Sequence, residues 1–145
     1  IKSLQEPAKK MSKSDGNPKA TIALLDPPDT IIKKFKSAVT DSETEIVFRE
    51  GKDGINNLLS MYSIVTGKDI PAIEAEFAGK GYGDFKLAVG EAVADYLRPI
   101  QDKFHALMAD KAYLEQCYRS GAERAMAISS RTLSKVYKKI GFVQR

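Results

Sequence analysis

From Asp84 to Ala109 the apolar residues Phe85, Val89, Val93, Leu97, Ile100, Phe104 and Leu107 return every three or four positions. At 3.6 residues per turn this spacing lines one face of a helix for about seven turns, a face that calls for burial. The same period runs through Ile55, Leu58, Leu59, Tyr62 and Val65, and more briefly through Ile73 and Phe77. The chain is therefore expected to be mainly α, a helical bundle. The punctuation gives its boundaries. Asp26-Pro27-Pro28-Asp29 should open a helix ending near Val39, with Asp26 as its cap. Asp53 should cap the next helix, which Gly67 ends, and Asp69 with Pro71 should start a short one over 70–78. The Gly79–Gly83 cluster breaks that helix, Pro99 should kink the long one, and Gly121 should split the remainder into helices at 111–119 and 122–140. The polar stretch 41–53 is expected to hold a short extended segment at Ile46, Val47 and Phe48.

Several classes of function fall away on composition. With 43% hydrophobic and 29% charged residues in 145, the chain reads as a soluble globular domain of single-domain size. No window nears the roughly 18 apolar residues of a membrane span and no leader opens the chain, so a cytoplasmic location is expected. Cys117 and His105 each stand alone: no disulfide and no metal site is expected. Cys117 reads as a small buried hydrophobe, and His105 as a packing or surface residue. A net charge of +4 leans toward polyanionic partners.

Residues 1–20 have no periodic apolar face and read as a mobile loop turning at Asp15-Gly16. Lys9-Lys10-Met11-Ser12-Lys13-Ser14 concentrates three ammonium groups and two hydroxyls in six residues, a set suited to an anion with several oxygens. Lysines and hydroxyls so placed stabilise the charge that develops on a departing pyrophosphate. As composition alone this is weak evidence, and a solvated basic linker accounts for the loop better. The start at Ile1, inside a loop and without methionine, reads as a piece of a longer protein. Residues 1–25 are taken as the catalytic loop and its connection, and 26–145 as a helical domain.

Lys10-Met11-Ser12-Lys13-Ser14 reproduces in full the second signature of class I aminoacyl-tRNA synthetases, and Asp15-Gly16-Asn17-Pro18-Lys19-Ala20 resembles its continuation in the tryptophan branch. Gly16 stands where that branch often has proline. Further blocks resemble bacterial tryptophanyl-tRNA synthetases in order along the chain: Lys36 to Glu43, Gly54 to Leu59, Gly79 to Lys86, and Leu97-Arg98-Pro99-Ile100. Tyrosine-specific relatives share the architecture, but the Ala38 to Glu43 block looks like the tryptophan branch.

The resemblance implies ATP and tryptophan as substrates, with Mg2+, forming tryptophanyl-adenylate and then tryptophanyl-tRNA. It implies that Lys10, Met11, Ser12, Lys13 and Ser14 bind the nucleotide, with Lys13 the most important for the leaving pyrophosphate, Lys10 supporting and Ser12 donating. It implies a Rossmann-type domain ahead of the loop with the tryptophan pocket, a homodimeric parent, and a helical part that binds the anticodon arm of tRNA(Trp). The chain alone is expected to be inactive, and monomeric or weakly associated. Arg124, Arg131, Lys135 and Lys138, spaced by seven, four and three, line one helix face opposite Ala125, Thr132, Leu133, Val136 and Ile140. That face suits RNA phosphates, and equally an ordinary solvated face. Tyr82 and Phe85 are either base-stacking or buried aromatics, and Asp41, Ser42 and Glu43 read as a positioning turn. Two other readings stay open: a freestanding basic helical RNA-binding module, and a structural domain without affinity for nucleic acid.

Overall fold

A computed structural model of the chain describes residues 1–143, which form five helices and no strand. In chain order these are α1 (Pro28–Lys36), α2 (Asp53–Thr66), α3 (Ile70–Glu76), α4 (Tyr82–Ala109) and α5 (Lys111–Ile140). The chain divides into two compact units, Ile1–Gln101 and Asp102 onward.

The first unit owns the core. The apolar faces of α1 to α4 meet through Ile31, Phe35, Ile55, Leu58, Leu59, Ile73, Phe85 and Val89, each at most 1% exposed. Tyr62, Phe77 and Phe85 pack edge to face, with centroids 4.9–6.0 Å apart, the arrangement aromatic quadrupoles favour. Phe85 is thus core, one of the two roles open to it. The α1–α4 contact is close because Gly90 has no side chain: a Cβ there would lie 3.0 Å from the Ile32 Cα. Burial along α4 stops at Leu97, and Ile100 and Phe104, expected on the buried face, are 46% and 38% exposed. Pro99 lies inside the helix without ending it.

Two expected caps are absent. Asp26 does not cap α1, whose N-cap is Pro27; its carboxylate is drawn instead to the Ala23 amide and the Lys34 ammonium. Asp53 sits in the first turn of α2 rather than at the cap, which is Lys52. Asp69 does cap α3, accepting from the Ala72 amide at 3.0 Å. No ladder forms at 46–48: Ile46 turns into the core, Phe48 is half exposed, and its amide donates to Glu74.

In the second unit α5 is one helix, not two, and Gly121 lies within it. Glycine weakens a helix interior by about 1 kcal/mol relative to alanine but does not forbid it. Asp110 caps its start and Gly141, at φ +74°, its end. None of its residues is buried, so Cys117 is exposed rather than a core hydrophobe. Leu133, Val136 and Ile140, expected on a packed face, are 50%, 44% and 54% exposed. His105 is exposed as well.

Candidate functional site

The lysine-serine loop is anchored far more firmly than its composition suggests. Leu4 and Ala20, on either side of it, are each 1% exposed, and the Leu4 amide donates to the Ala20 carbonyl at 3.0 Å. Val39 donates to the Leu4 carbonyl, and Ser3 to that of Lys9. The Asn57 carboxamide of α2 closes both hydrogen bonds of the Lys2 backbone, at 2.8 and 3.0 Å. The expectation of a mobile loop along all of 1–20 is corrected at its base, where burial of Leu4 and Ala20 and the backbone bonds around them hold the two ends of the segment together.

Between these anchors the signature residues face solvent. Lys10, Ser12, Lys13 and Ser14 are exposed and Met11 packs partly against the core. Met11 thus turns inward while the residues on either side turn out. The Ser12 and Ser14 hydroxyls lie 2.9 Å apart, and the Ser14 amide donates to the Ser12 hydroxyl at 3.3 Å. Asp15 and Asn17 each accept from the amide two residues on, rigidifying the turn. Lys9 is ion-paired with Glu6, which raises its pKa through that hydrogen bond and charge. Lys10 and Lys13 have no carboxylate partner among the described residues, so their ammonium groups are free for an outside anion.

The basic stripe is also solvent-facing: Arg124, Arg131, Lys135 and Lys138 are all exposed on α5. The ion pair on this helix, Arg119 with Glu115, lies outside the stripe. The loop belongs to the first unit and the stripe to the second.

Residues 1–98 match the family described as tRNA synthetases class I (W and Y). The chain belongs to that family. It is 48% identical over 143 residues to a tryptophan–tRNA ligase of Wolinella succinogenes, and 48% identical over 142 residues to one of Listeria monocytogenes. These alignments take in 99% and 97% of the chain but 44% and 43% of the relatives, so the chain spans less than half of their length. Among solved structures it is similar to the tryptophanyl-tRNA synthetase of Mycoplasma pneumoniae, with a TM-score of 0.73 at 31% identity, covering 99% of this chain and 44% of that one. The Campylobacter jejuni tryptophanyl-tRNA synthetase shares the fold, with a TM-score of 0.70 at 24% identity, over 98% of this chain and 44% of that one.

Within this family member one polar cluster escaped the sequence reading. Lys52, 2% exposed, donates to Asp41 at 3.1 Å and to the Tyr82 hydroxyl at 2.6 Å, and pairs with Glu43 at 2.9 Å. Tyr82 donates in turn to Asp41 at 2.6 Å, so its hydroxyl is engaged within the fold. Burial alone would raise the Asp41 pKa, but hydrogen bonds from Tyr82, the Glu43 amide and Lys52 overcome it and hold the carboxyl at about 2. For Lys52 burial works downward, and the bonds to Tyr82, Glu43 and Asp41 raise its pKa despite it. The turn at 41–43 is therefore tied to the starts of α2 and α4. No local signal marks this, because Lys52 lies 11 residues from Asp41 and 30 from Tyr82.

Proposed function

We propose that this chain is the part of a bacterial-type tryptophan–tRNA ligase that grips the ATP phosphates and meets the anticodon arm of tRNA(Trp). Residues 1–25 belong functionally to the catalytic domain and 26–145 to the tRNA-binding part. The observation that carries the reading is the unbroken Lys10-Met11-Ser12-Lys13-Ser14 order on a loop fixed at its base, with both flanking ammonium groups exposed and without a carboxylate partner among the described residues. Tryptophan rather than tyrosine is favoured by the names of the relatives at 48% identity.

In the first step the tryptophan carboxylate attacks the α-phosphorus of ATP. A bond forms from carboxylate oxygen to phosphorus, the bond to the bridging oxygen breaks, and pyrophosphate leaves with its charge. Lys13 stabilises that charge, Lys10 adds to it, and Ser12 and Ser14 donate hydrogen bonds, so the loop binds the transition state better than the ground state. In the second step a terminal hydroxyl of the tRNA attacks the carbonyl and AMP leaves. Mg2+ accompanies ATP in this chemistry, yet no three His, Cys, Asp or Glu of the described residues come together to hold a metal. Magnesium at a nucleotide is held chiefly by the phosphates it neutralises and by water, so this reading calls for no cluster of three protein ligands.

Arg124, Arg131, Lys135 and Lys138 contact tRNA phosphates in this reading. In this reading the complete protein is a homodimer that works in the cytoplasm. The chain by itself, without a tryptophan pocket, does not catalyse pyrophosphate exchange and stays monomeric or weakly associated. The test is tryptophan-dependent ATP–pyrophosphate exchange by a protein of the relatives' full length that carries this chain. Lys13→Ala should lower kcat by about 10²- to 10³-fold, the usual loss for one transition-state donor. An unchanged rate would leave the loop as a basic arm and favour an RNA-binding module.

A further inference from the structure

The signature loop is held at its centre as well as its base. The Thr21 hydroxyl donates to the backbone carbonyl of Ser12 at 2.7 Å, spanning nine residues and fixing the midpoint between Lys10 and Lys13. The carbonyl of the same Thr21 accepts from the Lys34 ammonium at 2.8 Å, and that ammonium also reaches the Asp26 carboxylate at 2.6 Å. Asp26 holds the Ala23 amide at 2.9 Å. The Gln101 carboxamide of α4 donates to the carbonyls of Leu24 and Asp26, at 2.8 and 3.0 Å. The Lys34 and Asp26 side chains are only 14% and 17% exposed, where a charged hydrogen bond is worth more than at an open surface.

We infer that Thr21 is a positioning residue for adenylate formation, holding Ser12, and with it the two lysines, in register on a frame made by Lys34, Asp26 and Gln101. The inference rests on the reading of this loop as the ATP-phosphate grip. Nothing in folding requires the Thr21 bond: Ser12 is exposed, and its carbonyl also accepts from the Asp15 amide at 3.2 Å, so losing the hydroxyl leaves no buried group unsatisfied. What the bond fixes is where Ser12 stands. A displacement of about 1 Å at a reacting centre is enough to cost rate by one to two powers of ten.

The experiment is ATP–pyrophosphate exchange by the full-length protein, with kcat, KM for tryptophan and Tm measured for Thr21→Val, Thr21→Ser and Lys13→Ala. Thr21→Val should lower kcat about tenfold while KM for tryptophan and Tm hold, and Thr21→Ser should return kcat to within about twofold of the parent. Lys13→Ala lowered with Thr21→Val at the parent rate would overturn the positioning role alone. So would a loss in Thr21→Val that travels with a falling Tm and that serine does not repair. Lys13→Ala at the parent rate would overturn the reading of the loop and the inference with it.

Discussion

Lys52 is the residue on which the first unit most depends electrostatically. An ammonium taken out of water costs several kcal/mol unless partners replace the solvent, and here Asp41, Glu43 and Tyr82 do so. Removing it strands the Asp41 carboxylate, one oxygen of which is already buried without a partner. Lys52→Met should destabilise the chain by about 3 kcal/mol, seen as a lower denaturant midpoint. A loss below about 1 kcal/mol would mean that the cluster is in effect solvated. The Asp41 carboxyl gives a pH signature. Its pKa falls from 3.8 to about 2 on folding, so its stabilisation is fully present above pH 3.8 and is lost as pH drops through 2. The contribution is on the order of 2 kcal/mol, and Asp41→Asn should flatten stability across that window. The lysine signature was readable residue by residue, whereas this cluster was not, because its members meet only after α2 and α4 have packed.

At the scale of elements, two glycines that look alike in sequence separate in structure. Gly54, in the first turn of α2, faces the Val39 carbonyl, and a Cβ there would lie 2.3 Å from that oxygen. Gly121 has open space around it inside α5. Gly54→Ala should therefore destabilise by about 2 kcal/mol or more, as backbone must move, while Gly121→Ala should raise helix stability by about 0.5–1 kcal/mol. Thermal melts of the two variants should shift in opposite directions. The same contrast shows what periodicity conveys. It located all of α2, α3 and α4 to within a few residues, since a repeating apolar face is a local property. It did not tell which part of a face finds a partner: burial on α4 ends at Leu97 although Ile100 and Phe104 continue the stripe. Asp26 failed as a cap for a related reason, having a stronger offer from Lys34 than from the free amides of α1, whereas Asp69, with no such rival among the described residues, caps α3 as its sequence position suggests.

For the whole molecule, a net charge of +4 is modest, and its distribution decides what it does. Lys10 and Lys13 on the signature loop belong to the first unit, and the exposed basic stripe of α5 to the second. If the α5 stripe meets tRNA, Arg131→Ala should reduce the slope of log affinity against log salt by about one, measured by tRNA(Trp) titration over a salt series. An unchanged slope would assign the stripe to solvation. The roles proposed for the loop and the α5 stripe belong to a protein that activates an amino acid and delivers it to RNA, and that proposal is tested most directly by charging. The full-length protein should be incubated with ATP and tRNA(Trp), with either tryptophan or tyrosine labelled. Tryptophan should appear on the tRNA, with tyrosine at background. Tyrosine attached, or neither amino acid activated, would contradict it.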